Sequence, residues 1–182
     1  MNDTTLSVYT LLQDIFKNVW EQQKYSEVKN GVLTTLNLAI FAIIIRVYFQ
    51  IKSIVHGNIY SKIIFFILIL LFVIHIILII QSFFPKDSNK EDFKEAKNIN
   101  IFFFGDIQKV KSTHYLDLII KKIKPNKIEE INKAPLLDLS NQIIKLAEIT
   151  QFKYTSFKQS IKRMYGLMAL FLIYFSYLFF YV

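Results

Sequence analysis

Cysteine is absent from the 182-residue chain. No disulfide framework, thiolate metal site or thiol nucleophile is therefore available. Arginine is almost absent: of 22 basic residues only Arg46 and Arg163 are Arg. The Lys, Ile, Asn and Phe richness marks a compositionally biased chain, so a single Lys carries little signal and the two Arg carry more. Histidine occurs three times, at His56, His75 and His114, far apart in sequence. Catalytic signatures are missing as well. There is no HExxH, no GxSxG and no phosphate loop of the GxxxxGK type. Glu129 and Glu130 are sequence neighbours, a spacing that does not place two carboxylates on one helix face. No metal site and no enzymatic activity are expected.

Apolar residues dominate instead. They make up 53% of the chain, above the 45–50% or so of ordinary soluble domains. Three runs approach the length of about 20 residues that a membrane-spanning helix needs. The clearest, "IIFFILILLFVIHIILII", covers residues 63–80 and extends towards Phe84 before Pro85. "VLTTLNLAIFAIIIRVYFQI", residues 32–51, carries Thr34, Thr35, Asn37 and Arg46 within it. "MYGLMALFLIYFSYLFFYV", residues 164–182, has no charge, and its tyrosines suit interfacial or protein-facing positions. The first 30 residues hold no continuous apolar stretch of the signal-peptide kind, so no signal peptide is expected.

These runs divide the chain into an N-terminal amphipathic segment (1–31), a first span (32–51), a hairpin (52–62), a second span (63–84), a polar region (85–163) and a third span (164–182). Lys17, Lys24 and Lys29 precede the first span, and Lys86, Lys90, Lys158, Lys162 and Arg163 flank the later ones. Positive charge favours the cytoplasmic side. The N-terminus and residues 85–163 are thus expected inside, with the hairpin and the C-terminus outside. The expected fold is an all-α membrane protein: three transmembrane helices with a small helical cytoplasmic domain.

Within the polar parts, Val8, Leu12, Ile15, Phe16, Val19 and Trp20 recur at helical spacing, with Asn2, Asp3 and Thr4 as candidate caps. That stripe either packs on other helices or lies on the inner leaflet. Its helix is expected to run on into the first span. Residues 85–97 read as a linker, 113–124 as a short helix stopped by Pro125, and 126–134 as a helical turn ended by Pro135. From Leu136 a helical pattern continues into the third span with no Pro or Gly until Gly166. A rigid helix there would carry a cytoplasmic event into the bilayer.

"NINIFFFGDI", residues 98–107, stands out because three phenylalanines meet a glycine in basic surroundings. Three readings fit: a plug made by Phe102 and Phe104 in the cytoplasmic core, a wall that stacks a nucleobase with Gly105 admitting a phosphate, or a membrane contact. Residues 85–163 carry sixteen basic and ten acidic side chains, an excess of six. That suits lipid headgroups or a small phosphorylated ligand better than a nucleic-acid duplex. Within the spans, His75 needs a partner, and Asn37 is the intrachain candidate. Arg46 either snorkels to the outer headgroups or joins Asn37 and His75 facing an oligomeric interior.

Three passages, in order, resemble the Pycsar transmembrane effectors. "YSEVKNGVLTTLNLAIFA" is similar to that family's first-span start, with an acidic residue and Lys before "GVL". "NINIFFFGDIQKVKSTHYLDLI" resembles its Asn, "FFG" and Tyr signature. "IIKLAEITQFKYTSFKQSIKRMYGLMALFLI" resembles its Ala and "KY" helix that feeds the last span. Asn30 in place of a small residue and Phe157 in place of an aliphatic one are departures that leave ligand details open. The resemblance implies an antiphage effector of the bacterial inner membrane. A partner cyclase makes a cyclic nucleotide, cyclic UMP or cyclic CMP, which activates it without a further cofactor, and the homo-oligomer impairs the lipid bilayer. The same resemblance implies ligand roles for Asn100, Phe104, Gly105, Tyr115, Lys153 and Tyr154, with Lys29 and Arg163 as basic neighbours. A constitutive small membrane scaffold or channel subunit without nucleotide ligand is the alternative.

Overall fold

The computed structural model describes residues 3–55, 59–84, 99–123 and 131–181. Five helices follow in order: α1 (Asp3–Val55), α2 (Ile59–Gln81), α3 (Phe104–Ile107), α4 (Ser112–Ile123) and α5 (Lys133–Tyr181). No strand occurs among the described residues. The linker at 85–97, the stop at Pro125, the caps at Asn2 and Thr4 as side chains, and most of the turn at 126–134 lie outside what is described.

α1 is one helix of 53 residues. It contains no proline, and its one glycine, Gly31, has open space where a Cβ would stand. Thr34 and Thr35 do not break it because they bond back onto the helix. The Thr34 and Thr35 hydroxyls donate to the carbonyls of Asn30 and Gly31, so each polar group is satisfied without water. α2 stops at Gln81 rather than Phe84. There the Ser82, Phe83 and Phe84 amides turn back onto the carbonyls of Ile79, Ile80 and Gln81, satisfying groups that a helix end leaves open.

α5 corrects one expectation. Pro135 does not end a preceding turn; it lies in the first turn of α5, which begins at Lys133. The Ala134 amide donates to the Asn132 side chain, 3.3 Å away. A first-turn residue has no helical acceptor for its N–H, so proline loses nothing there. α4 begins one residue before the expected start, at Ser112. Among the described residues, α1, α2 and α5 are the three helices long and apolar enough to cross a membrane.

The chain forms two compact units, and α1 and α5 contribute to both. Unit one takes α1 up to Ser26, α3, α4 and α5 up to Tyr154. Its core joins Val8, Leu12, Ile15 and Val19 of α1 to Ile107, Tyr115, Ile119, Leu136 and Ile143. The α1 stripe therefore packs on the other helices. Trp20 is the exception: it is 43% exposed, stacked on Phe16 with the Lys24 ammonium over its ring.

Unit two takes the rest of α1, α2 and the rest of α5. α1 and α2 run antiparallel, as the pairs Asn37–His75, Phe41–Phe72 and Tyr48–Phe65 show. Its core gathers Ile44, Phe65, Leu68 and Phe72 with Leu167, Phe171, Tyr174 and Leu178. Near the hairpin the Ser61 and Tyr174 hydroxyls lie 3.0 Å apart. The residues α2 leaves outside this core, among them Ile63, Phe66, Leu70 and Ile77, are exposed and apolar. Such a surface suits lipid or another apolar protein face rather than water.

Candidate functional site

In unit one the phenylalanine turn is held from several sides. The Asn100 side-chain oxygen accepts the Phe102 amide at 3.0 Å, and the Asn100 carbonyl accepts the Phe103 amide at 3.1 Å. This is the self-bonding turn that Asn favours. Asp106 closes the other side: one carboxylate oxygen takes the Lys109 ammonium at 2.7 Å, and the other faces the Asn100 amide at 3.4 Å. The Lys109 hydrogen bond, with help from the Asn100 amide, holds the Asp106 carboxyl below the usual carboxylate range. Beneath the turn, the fully buried Tyr115 donates its hydroxyl to the Ile101 carbonyl at 2.8 Å. Burial pushes this phenol well above its ordinary range, so it remains a donor at any physiological pH.

These contacts sort three identical side chains into two roles. Phe104 turns inward, packs on the core of unit one and stacks on Tyr154 at 5.2 Å between ring centroids. The Tyr154 hydroxyl in turn donates to the Gln22 side chain. Phe102 and Phe103 stay outside, 44% and 48% exposed. The expected plug of Phe102 and Phe104 is thus half correct: Ile101 and Ile107 are buried with Phe104, and Phe102 is not. Lys122, from the last turn of α4, holds its ammonium 5.4 Å from the centre of the Phe102 ring.

Gly105 is required by Phe103. A Cβ at Gly105 would stand 2.5 Å from the Phe103 ring. Any larger residue would push that ring off the turn. The glycine therefore serves the aromatic surface directly.

Of the other expected ligand residues, Lys153 belongs to unit one and is buried, 5% exposed. Lys29 and Arg163 belong to unit two. The Lys29 ammonium lies 5.8 Å from the Phe157 ring, and Arg163 donates to the Ser160 hydroxyl at 3.2 Å. Asn100, Phe104, Gly105, Tyr115 and Tyr154 come together around one turn, with Tyr115 below it. Phe103 and Lys122 escaped the sequence reading. Twenty lysines hide any single one, and Lys122 reaches the turn from another helix.

Inside unit two the expected polar pair is formed. Asn37 is fully buried, donates to the Leu33 carbonyl at 2.7 Å, and its side-chain oxygen meets His75 Nε2 at 3.2 Å. Phe72 packs its ring edge-on against the imidazole. Arg46 does not join them and is exposed. Nine helical residues at about 100° each turn it to the opposite face of α1 from Asn37. The expected trio facing one interior is therefore corrected to a buried pair and a separate surface charge. Among the described residues no group of His, Asp or Glu is arranged to hold a metal.

The model of the Pycsar effector protein domain matches residues 11–182. The chain belongs to the Pycsar effector family. Neither a curated protein nor a solved structure matches it. As a Pycsar effector it is an antiphage defence effector, and its three long apolar helices make it a membrane protein. Family membership implies a cyclic-nucleotide signal from a partner cyclase.

Proposed function

We propose that a cyclic pyrimidine nucleotide, cyclic UMP or cyclic CMP, binds the Phe102–Phe103 turn of this Pycsar effector, and that the spans then impair the inner membrane and arrest growth. The observation that carries the reading is the half-exposed pair Phe102 and Phe103, with the Lys122 ammonium over the Phe102 ring. A cyclic nucleotide is a flat base joined to one phosphate charge. Aromatic faces stack bases of any sequence, and a lysine answers a phosphate. The braced turn adds affinity because little ordering remains to be done on binding.

Transmission follows the helices. α1 and α5 each run unbroken through parts of both units, so a displacement begun in unit one travels along the same helix into the span. Lys placement favours a cytoplasmic unit one, where the cyclase product accumulates. Three spans from one chain hardly enclose an aqueous pore, so the acting form is a homo-oligomer. The modest basic excess and interspersed acids of residues 85–163 leave nucleic acid aside.

The test is binding of purified protein to a panel of cyclic nucleotides by calorimetry. One or both cyclic pyrimidine nucleotides should bind. Phe102→Ala or Phe103→Ala should weaken binding by about tenfold or more, since a stacked base contributes roughly 1–3 kcal/mol. Lys122→Gln should weaken it too, and Lys145→Ala on an exposed face should not. Absence of binding by every nucleotide would favour the constitutive scaffold or channel subunit.

A further inference from the structure

Unit two contains a cleft of about 320 Å³ between α2 and α5. This is the size of a small-ligand site, roughly 300–1,000 Å³. Leu71, Ile74 and Leu170 give it apolar walls, Gly166 leaves it open on the α5 side, and His75 and Arg163 are its polar lining. Two features mark it as more than a packing gap. First, polar groups at the cleft lack partners: His75 Nδ1 and Arg163 Nε are buried and accept or donate no hydrogen bond among the described residues. His75 is itself 3% exposed, with its other ring nitrogen already on Asn37. Buried polar atoms are normally paired, and an unpaired pair at one cleft points to a missing group. Second, charge is unbalanced. The part of unit two that carries Arg163, residues 155–182, includes three Lys and Arg and no acidic residue.

An occupant must therefore be apolar along most of its length and anionic at one end. We propose that this cleft is a phospholipid site, with an acyl chain along Leu71, Ile74, Gly166 and Leu170 and the phosphate group against the Arg163 guanidinium. Arg suits this role because its planar fork binds phosphate oxygens in pairs and keeps its charge. The position agrees. Lys158, Lys162 and Arg163 immediately precede the charge-free run of α5, the level at which headgroups meet a span. His75 lies six residues before the end of α2, about 9 Å along the axis, within the depth of one leaflet. Leu71 to Leu78 extend the cleft for about 10 Å, enough to hold part of a chain. A headgroup of net negative charge is preferred, because Lys158 and Lys162 are also exposed at that level.

The site goes beyond nucleotide-triggered activity, and its test contains no nucleotide. The full chain in detergent is titrated with phosphatidylglycerol or phosphatidylcholine of equal chain length, and bound lipid is counted by native mass spectrometry. Wild type should prefer phosphatidylglycerol by about fivefold or more. Gly166→Leu fills the cleft. A Cβ there meets nothing within 4 Å, so the helix tolerates it, and the variant should melt no lower than wild type yet hold about tenfold less lipid. Gly31→Leu, equally open at its Cβ, should bind lipid normally. Arg163→Gln should weaken binding of both lipids by about fivefold or more, and Lys158→Gln combined with Lys162→Gln should erase the headgroup preference. Millimolar inorganic phosphate should not displace phosphatidylglycerol, because the chain supplies most of the affinity. Lipid retention by Gly166→Leu, undiminished binding of both lipids by Arg163→Gln, or full displacement by inorganic phosphate would each overturn the proposal.

Discussion

Tyr115→Ala is expected to abolish ligand binding and to lower the melting temperature of the chain in detergent sharply. Tyr115 has no exposed surface and sits within the core of unit one. Removing a buried aromatic ring from a packed core costs about 3–5 kcal/mol. The Ile101 carbonyl, which now accepts the Tyr115 hydroxyl, would also lose its partner beneath the turn. Folded proteins have only about 5–15 kcal/mol in hand, so this one change removes a large part of the margin. Tyr115→Phe separates the two contributions. It keeps the ring and deletes the hydroxyl, so about 1–3 kcal/mol should be lost, with nucleotide binding weakened through a looser turn. Thermal melting and hydrogen exchange at the amides of residues 101–110 measure both effects. Wild-type melting and wild-type exchange in Tyr115→Ala would show that Tyr115 does not position the turn.

Arg46→Leu is expected to abolish nucleotide-dependent growth arrest while leaving nucleotide binding and membrane levels intact. Arg46 is exposed on the face of α1 opposite Asn37, away from the buried polar pair. An Arg turned to lipid within a span costs at least about 2.5–3.5 kcal/mol. A neighbouring copy or a water-lined path in the active oligomer removes that cost and gives the charge a function. Arg46→Lys should keep part of the arrest, because the positive charge survives. A growth assay with the cyclase co-expressed, and membrane levels followed by blot, reads the outcome. Full arrest by Arg46→Leu would show that this side chain merely snorkels to the headgroups.

Long-range order was legible in the sequence where a single physical demand acted. α1 and α5 are long because almost nothing in them breaks a helix: one glycine in the first, and in the second Gly166 and a first-turn Pro135. Asn37 and His75 were legible as a pair because two polar groups in apolar spans must find each other.

What escaped reading depended on local geometry. Pro135 stops a helix or starts one, and only the Asn132 cap decides which. Phe102, Phe103 and Phe104 are chemically identical, so the turn alone decides which ring is buried. Tyr115 carried a family signature that suggested ligand contact, whereas its burial and its bond to Ile101 give it the task of holding the turn. Trp20 followed the helical stripe in spacing, yet its ring lies at the edge of the core under Lys24.

A cyclic nucleotide is expected to convert this Pycsar effector from a silent membrane protein into one that breaches the bilayer. A potential-sensitive dye in cells tests it most directly, with the effector expressed alone and expressed with a cyclase that makes cyclic UMP or cyclic CMP. The potential should stay stable in the first case and collapse rapidly in the second, with Phe102→Ala and Arg46→Leu both restoring it. An unchanged potential at matched expression, or depolarisation that occurs without any nucleotide, would contradict it.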